Sequence, residues 1–278
     1  MKKIRSISTS RDVALHELKV LRNLHKTQHA HDHLVTLLAT YEQRDYLCLV
    51  LPWADADLDQ YWRRQDPRSF GDGARLSAWL KQQCCGLAEA VSRIHRYETT
   101  SSTTMLRNIT SAAPGAEAIP GRSQSVRSPG QRDFVLSGRH GDIKPKNILW
   151  FPHASSAESS ITDLGILKLS DFGSAHFGEE EAVPAQDKDT VPYTESYQSP
   201  ECQLPHGKLS PQCDVWALGC VFLEFVCWYS GGHELLKNFR SERNPGNGNS
   251  CFFVIICEET SGTCSAELNP PVVKVSML

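Results

Sequence analysis

Apolar residues between positions 11 and 24 (RDVALHELKVLRNL) recur at helical intervals. Val13, Leu18, Leu21 and Leu24 fall near one face, while Glu17 and Lys19 project elsewhere, so the pattern predicts a short amphipathic helix. Two apolar, β-prone runs follow, at 34–41 and 46–51, separated by the polar turn EQRD; they predict an antiparallel pair that ends at Pro52. From 74 to 95, Leu76, Leu80, Cys84, Leu87, Val91 and Ile94 return at threes and fours, which predicts a long helix with one buried stripe. Residues 211–229 (PQCDVWALGCVFLEFVCWY) are apolar on nearly every face. That suits a helix at the centre of a sizeable lobe.

The intervening and terminal stretches lack such periods. More than half of residues 99–130 are Ser, Thr, Gly or Pro, too poor in large apolar groups to offset the entropy of ordering, so a disordered surface insertion is expected at about 98–138. It contains Asn108-Ile-Thr110 and Arg127-Ser128-Pro129, patterns that chance supplies readily in loops of this composition. After Arg243 the string NPGNGNS breaks structure, and the tail 241–278 is expected to be divergent and poorly ordered.

Composition narrows the class without naming the chemistry. The 278 residues are 40% hydrophobic and 22% charged, which excludes a wholly disordered, collagen-like or coiled-coil chain. A formal charge of -3 gives no global basic field that would argue for nucleic acid or an anionic membrane as partner. The start, MKKIRSISTS, lacks the apolar core of a signal peptide, so the ten cysteines are expected in a reducing compartment, cytoplasmic or nuclear, as packing residues rather than zinc ligands. The run CFFVIIC at 251–257 is too short to span a bilayer as a helix, and no transmembrane segment is expected. Gln28-His29-Ala-His31-Asp-His33 places three imidazoles at alternate positions, but no thiol or spaced carboxylate set completes a metal site, so these histidines are expected to be structural.

The chemistry concentrates at residues 139–150 (RHGDIKPKNILW) and 167–173 (LKLSDFG). These segments resemble the catalytic loop and the Asp-Phe-Gly of eukaryotic protein kinases, whose His-x-Asp-x-x-x-x-Asn is met by His140, Asp142 and Asn147. Ser199-Pro200-Glu201 is similar to the family's Ala-Pro-Glu. Asp214-Val-Trp216-Ala-Leu-Gly219 is similar to the opening of its central helix. The wording over residues 1–240 resembles a fungal group of kinase-domain proteins that carry a Ser-rich insertion. Phosphoryl transfer asks a protein mainly to position reactants and neutralise charge. The resemblance therefore implies that Asp171 binds Mg²⁺ on the ATP phosphates, that Asn147 supplies an amide oxygen to a second metal, that Asp142 accepts the proton of the attacking hydroxyl, and that Lys144 puts positive charge beside the moving group. Asp-x-Lys-Pro resembles the serine/threonine-specific branch, and Thr194 matches the substrate-loop threonine.

Upstream, Glu17 resembles the helix glutamate that pairs with a strand lysine on the α- and β-phosphates. Lys2 is the expected lysine, with Lys3 as the alternative, since alternation along a strand sends only one toward the cleft. The family's first strands and glycine-rich loop would lie before Met1 and are expected to be missing; the helices after the central one are expected to be mostly missing, unless 232–240 supplies one. Glu201 is expected to lack its arginine, at the cost of a buried unpaired charge. Gly141 stands where many relatives have an arginine that reads a phosphate on the activation loop. Trp53-Ala54-Asp55-Ala56-Asp57 resembles the adenine-holding hinge, with Asp57 alternatively an N-cap.

These resemblances imply an α+β, bilobal protein-kinase-like fold: a partial small β lobe over residues 1–53 and a mainly helical large lobe over 54–240. The implied activity is transfer of the ATP γ-phosphate to Ser or Thr of a protein substrate, with ATP and Mg²⁺ as cofactors. A scaffold that binds a partner without turnover, and a truncated product of an active kinase gene, are the competing readings.

Overall fold

Lys2–Arg5 (β1), Ala39–Gln43 (β2) and Tyr46–Val50 (β3) form a three-stranded antiparallel sheet in the order β1-β3-β2, with Lys2 opposite Leu49 and Lys3 opposite Cys48. In the computed structural model the described residues are 2–5, 8–25, 30–44, 46–96, 137–153, 164–178, 183–184, 195–204, 207–244, 250–258 and 263–275. Helix α1 (Ser8–Leu24) follows the first strand and buries Leu18, Leu21 and Leu24, as the helical spacing predicts. Glu17, off the face of Leu18, Leu21 and Leu24 by the same spacing, is only 1% exposed. The second predicted strand matches β3. The first begins later than expected, because the start of the run is drawn away from the small sheet: Val35 donates to the Leu169 carbonyl and Leu169 donates to the His33 carbonyl.

A short strand β4 (Ala56–Asp57) leads into helix α2 (Leu58–Arg64), where Asp57 acts as N-cap, its Oδ1 accepting the Gln60 amide at 2.8 Å. Trp53 before it is exposed. Helix α3 (Gly73–His95) is capped by Asp72, which accepts from the amides of Ala74 and Arg75. Its stripe is Leu76, Trp79, Gln83, Leu87, Val91 and Ile94, so Trp79 and Gln83 take the places expected of Leu80 and Cys84. Both carry polar atoms that find partners: Trp79 Nε1 donates to Gly165 O at 2.7 Å, and Gln83 Oε1 accepts the Leu167 amide at 2.9 Å. Most of the expected insertion, with Asn108 and Ser128, lies outside the described residues; its end, Ser137–Arg139, is strand β5.

Strands β6 (Ile148–Phe151) and β7 (Ile166–Leu169) join β4 in a second small sheet, and β5 pairs with β8 (His176–Gly178). Val183–Pro184 (β9) and Lys208–Leu209 (β10) form a further antiparallel pair. Among the described residues the longest helix is α4, Gln212–Arg243, whose backbone leaves helical geometry at Gly231 and Gly232 before a second helical segment continues to Arg243. Gly232 takes φ 71°, which glycine adopts without steric cost. By length and apolar composition α4 could cross a membrane; half of its most apolar window is buried inside the fold. Val221, Phe225 and Trp228 are fully buried, and Phe225 meets the rings of Trp62, Trp79 and Trp228 at 5.2 to 6.1 Å in edge-on contacts. This is the core helix that the apolar run predicts.

The tail departs from the poorly ordered segment expected. Strands β11 (Phe253–Cys257) and β12 (Cys264–Leu268) form a hairpin, joined by a Cys257–Cys264 disulfide, and helix α5 (Pro270–Val275) packs on α4. Phe252 is buried against Tyr197 and Phe239, and Phe253 against Trp216. Among the free thiols Cys48, Cys202, Cys220, Cys227 and Cys251 are buried, as packing residues are expected to be, whereas Cys85 is exposed and Cys257 and Cys264 are bonded to each other.

Candidate active site

The loop from His140 to Asn147 hangs between β5 and β6, and a buried carboxylate fixes its start. Asp214, in the first turn of α4, accepts the His140 amide on Oδ2 at 2.7 Å and the Gly141 amide on Oδ1 at 2.9 Å, while His95 Nε2 lies 3.0 Å from Oδ2. Two backbone donors and an imidazole thus satisfy a group that would be costly to bury alone. Gly141 takes φ 81°, and a Cβ there would stand 2.5 Å from the Ser174 carbonyl oxygen, so the residue found in place of an arginine also suits a tight backbone crossing. His140 accepts the Asp142 amide on Nδ1 at 3.3 Å, its Nε2 sits 3.2 Å from Ser170 O, and its ring lies 5.0 Å from that of buried Phe172.

That chain of contacts brings together the residues expected to carry chemistry. Asp142 Oδ2 receives Lys144 Nζ at 2.7 Å and Asn147 Nδ2 at 2.9 Å; the same amide donates to Asp142 O at 2.8 Å. Asp142 is 13% exposed, so its carboxylate is held but reachable. The Asn147 carbonyl accepts from the Ser170 amide and hydroxyl, both at 2.9 Å, which ties the loop to the residue preceding Asp171. Asp171 is exposed at φ 64°, a left-handed conformation that Asp tolerates better than most residues and that recurs at functional sites. Helix α1 packs on the turn Phe172–Ser174, with His16 Nε2 2.5 Å from Ala175 O.

The outlying candidates fare differently. Buried Glu17 belongs to α1, the helix seated on that turn. The backbones of Lys2 and Lys3 lie in β1 beside β3; their side chains, and Thr194, lie outside the described residues. Glu201 is exposed, so the penalty expected of a buried, unpaired acid does not arise there. His33 is buried, with Nδ1 2.7 Å from Leu167 O, and burial lowers its pKa; among the described residues no group of three His, Cys, Asp or Glu side chains forms a metal cage. Gly86 admits His33: a Cβ at that position would fall 2.0 Å from its Nε2.

Sequence reasoning missed a second charged cluster beside the loop. Glu224 of α4, 0% exposed, accepts from Arg240 at 2.9 and 2.6 Å, from Arg243 at 2.8 Å and from the Tyr197 hydroxyl at 2.8 Å. Arg240 also reaches Asp59 Oδ1 at 2.6 Å, and Arg63 reaches Asp59 Oδ2 at 2.7 Å. Burial works against ionisation of Asp59, yet Arg240 and Arg63 outweigh it and hold the carboxyl below its usual range. Burial, with Glu224 beside it, pushes the Tyr197 phenol up. Arg243 lies 3.7 Å above the Phe252 ring centroid, linking the cluster to the tail. The apolar run around Glu224 was a legible signal, because an acid inside a buried helix demands a cation.

Comparison with known proteins agrees with this geometry. A protein kinase domain model matches residues 137–242, from β5 to the end of α4. The chain is similar to serine/threonine-protein kinase AFC3 of Arabidopsis thaliana, 26% identical over 224 residues, covering 81% of this chain and 46% of that protein. It is similar to cyclin-dependent kinase-like 4 of Mus musculus, 24% identical over 217 residues, covering 78% of this chain and 44% of that protein. Cyclin-dependent kinase 15 of Homo sapiens is 34% identical over 85 residues, covering 31% of this chain and 16% of that protein. The chain spans about half the length of the first two relatives. With the loop, its buried aspartate and the central helix arranged as described, residues 137–242 match the protein kinase domain, and the chain is similar to serine/threonine-protein kinases.

Proposed function

We propose that this chain transfers the γ-phosphoryl group of ATP to Ser or Thr hydroxyls of protein substrates. One observation carries the reading. Lys144 and Asn147 anchor the same oxygen of Asp142, Oδ2, so the carboxylate is oriented, while Oδ1 receives no hydrogen bond from a described residue. Asp142 Oδ1 accepts the hydroxyl proton as the substrate oxygen attacks the γ-phosphorus; the bond from phosphorus to the β,γ-bridging oxygen breaks, and ADP leaves. Lys144, fixed 2.7 Å from Asp142, places a cation beside the transferring group.

Exposed Asp171 and the Oδ1 of Asn147 are hard oxygen donors suited to Mg²⁺; this ion takes only one or two protein ligands beside phosphates and water. When bound, Mg²⁺ neutralises charge on the phosphates. Lys2, or Lys3, with Glu17 would hold the α- and β-phosphates, and Thr194 would sit in the substrate loop. Residues 1–53 then belong to the small lobe and 54–240 to the large one, in a chain acting in cytoplasm or nucleus. The test is transfer of radiolabelled phosphate from ATP by purified protein beside Asp142→Asn. Loss of incorporation in the variant is expected; equal incorporation by both removes Asp142 from this role.

A further inference from the structure

A cavity of about 430 Å³ opens beside the catalytic loop, between Arg63 of α2, Lys144 and Lys146 of the loop, and Glu224 and Arg240 of α4. Its charges do not balance. Five cationic side chains line it, against two carboxylates, Asp59 and Glu224. Both acids are already engaged within the fold: Glu224 by Arg240, Arg243 and Tyr197, and Asp59 by Arg240 and Arg63. Neither is left to receive a cation from a ligand. Lys144 is matched by Asp142, but Lys146 is exposed and has no anionic partner among the described residues, and Arg63 is 59% exposed and shares its single carboxylate with Arg240.

From this imbalance we propose that the cavity receives a phosphoserine or phosphothreonine of the protein substrate, flanking the residue to be phosphorylated. The inference rests on the phosphotransfer reading above and adds a substrate class to it. A phosphate dianion matches the surplus of two cations, and its oxygens suit an arginine fork beside a lysine ammonium better than a single carboxylate would. Position supports the same occupant. Lys144 lines the cavity and touches Asp142, so the anion site begins one side chain from the base. An extended peptide advances about 3.3 Å per residue, so a side chain roughly two to four residues from the acceptor can reach it.

The test uses fluorescein-labelled nine-residue peptides with a central serine in an Ala/Gly background, carrying phosphoserine, Asp, Ser or Arg at each position two to four residues before or after it. Anisotropy reads binding, and radiolabel transfer is measured on the same peptides. Phosphoserine at one position is expected to tighten binding about tenfold or more over Ser, with Asp between them and Arg weakest. In Lys146→Glu/Arg63→Gln, with an unchanged melting temperature, the preference should fall to within about twofold. Equal binding of the phosphoserine and serine peptides overturns the proposal, as does a preference that survives in the double variant. Preference without any transfer would keep the cavity assignment and defeat the phosphotransfer reading; transfer without preference would do the reverse.

Discussion

Two charged clusters lie side by side about the loop His140–Asn147, and they are built on opposite plans. Around Glu224 every carboxylate meets a guanidinium or hydroxyl, and the acid itself is fully buried. Around Asp142 the carboxylate is anchored on one oxygen only, the surroundings are half-buried, and Asp171 faces solvent. Complete pairing leaves a group nothing to offer a ligand. Partial pairing spends just enough contact to aim a group and leaves the rest of its capacity open. The closed cluster is therefore expected to govern stability and the open one turnover.

The largest effect should come from the open cluster. Asp142→Asn removes a general base while keeping shape and the hydrogen bond from Asn147, so the transfer rate should fall about 10²- to 10⁴-fold. The melting temperature should hardly move. A fall in melting temperature comparable to that of a core variant would break the comparison, because it would make Asp142 a structural acid.

Next comes the closed cluster. Glu224→Ala leaves buried Arg243 and half-buried Arg240 without their shared anion, and removing one partner of such a group costs about 3–5 kcal/mol. Urea unfolding should show that loss at an unchanged slope. A change below ~1 kcal/mol would mean that Asp59, the remaining acid, satisfies both arginines.

The two clusters were unequally legible in the sequence. Asp142 and Asn147 sit five positions apart in one loop, and Asp171 is marked by its own tripeptide, so short motifs carry them. Glu224 pairs with Arg240 and Arg243, 16 and 19 residues on, while Arg240 reaches back to Asp59; no local spacing announces such a set. Periodicity located α3 but missed Trp79 and Gln83, because their polar atoms are satisfied by backbone from distant residues. The tail read as appended for the same reason: Phe252 and Phe253 pack on Tyr197, Phe239 and Trp216, partners outside any local window.

A smaller effect should link the clusters to the backbone that holds them. Gly141→Ala puts a side chain at φ 81° against the Ser174 carbonyl, a strain of roughly 1–3 kcal/mol. The Gly141 amide donates to Asp214, so relief of the strain would shift the loop that carries Asp142. Stability and transfer rate should fall together, unlike in either earlier variant. A rate loss without a stability loss would show that the crossing is not tight.

The smallest effect lies in the acid dependence of the closed cluster. Arg240 and Arg63 hold Asp59 below its ordinary value of 3.8, against the opposing push of burial. The unfolded chain therefore binds the proton first as pH falls, and protons favour unfolding. The contribution of Asp59 to stability is complete at neutral pH, begins to fade near its ordinary pKa and is gone once pH has dropped through the folded one. Buried His33 acts earlier: its lowered pKa makes acidification from about its ordinary 6.5 downward unfavourable to the fold. Melting temperatures of the wild type and Asp59→Asn should run parallel near neutral pH and converge as pH falls below the ordinary 3.8 of Asp59, as the wild type loses what the variant never had. Parallel curves throughout would show that Asp59 draws no stability from its arginines, and the closed cluster would then rest on Glu224 alone.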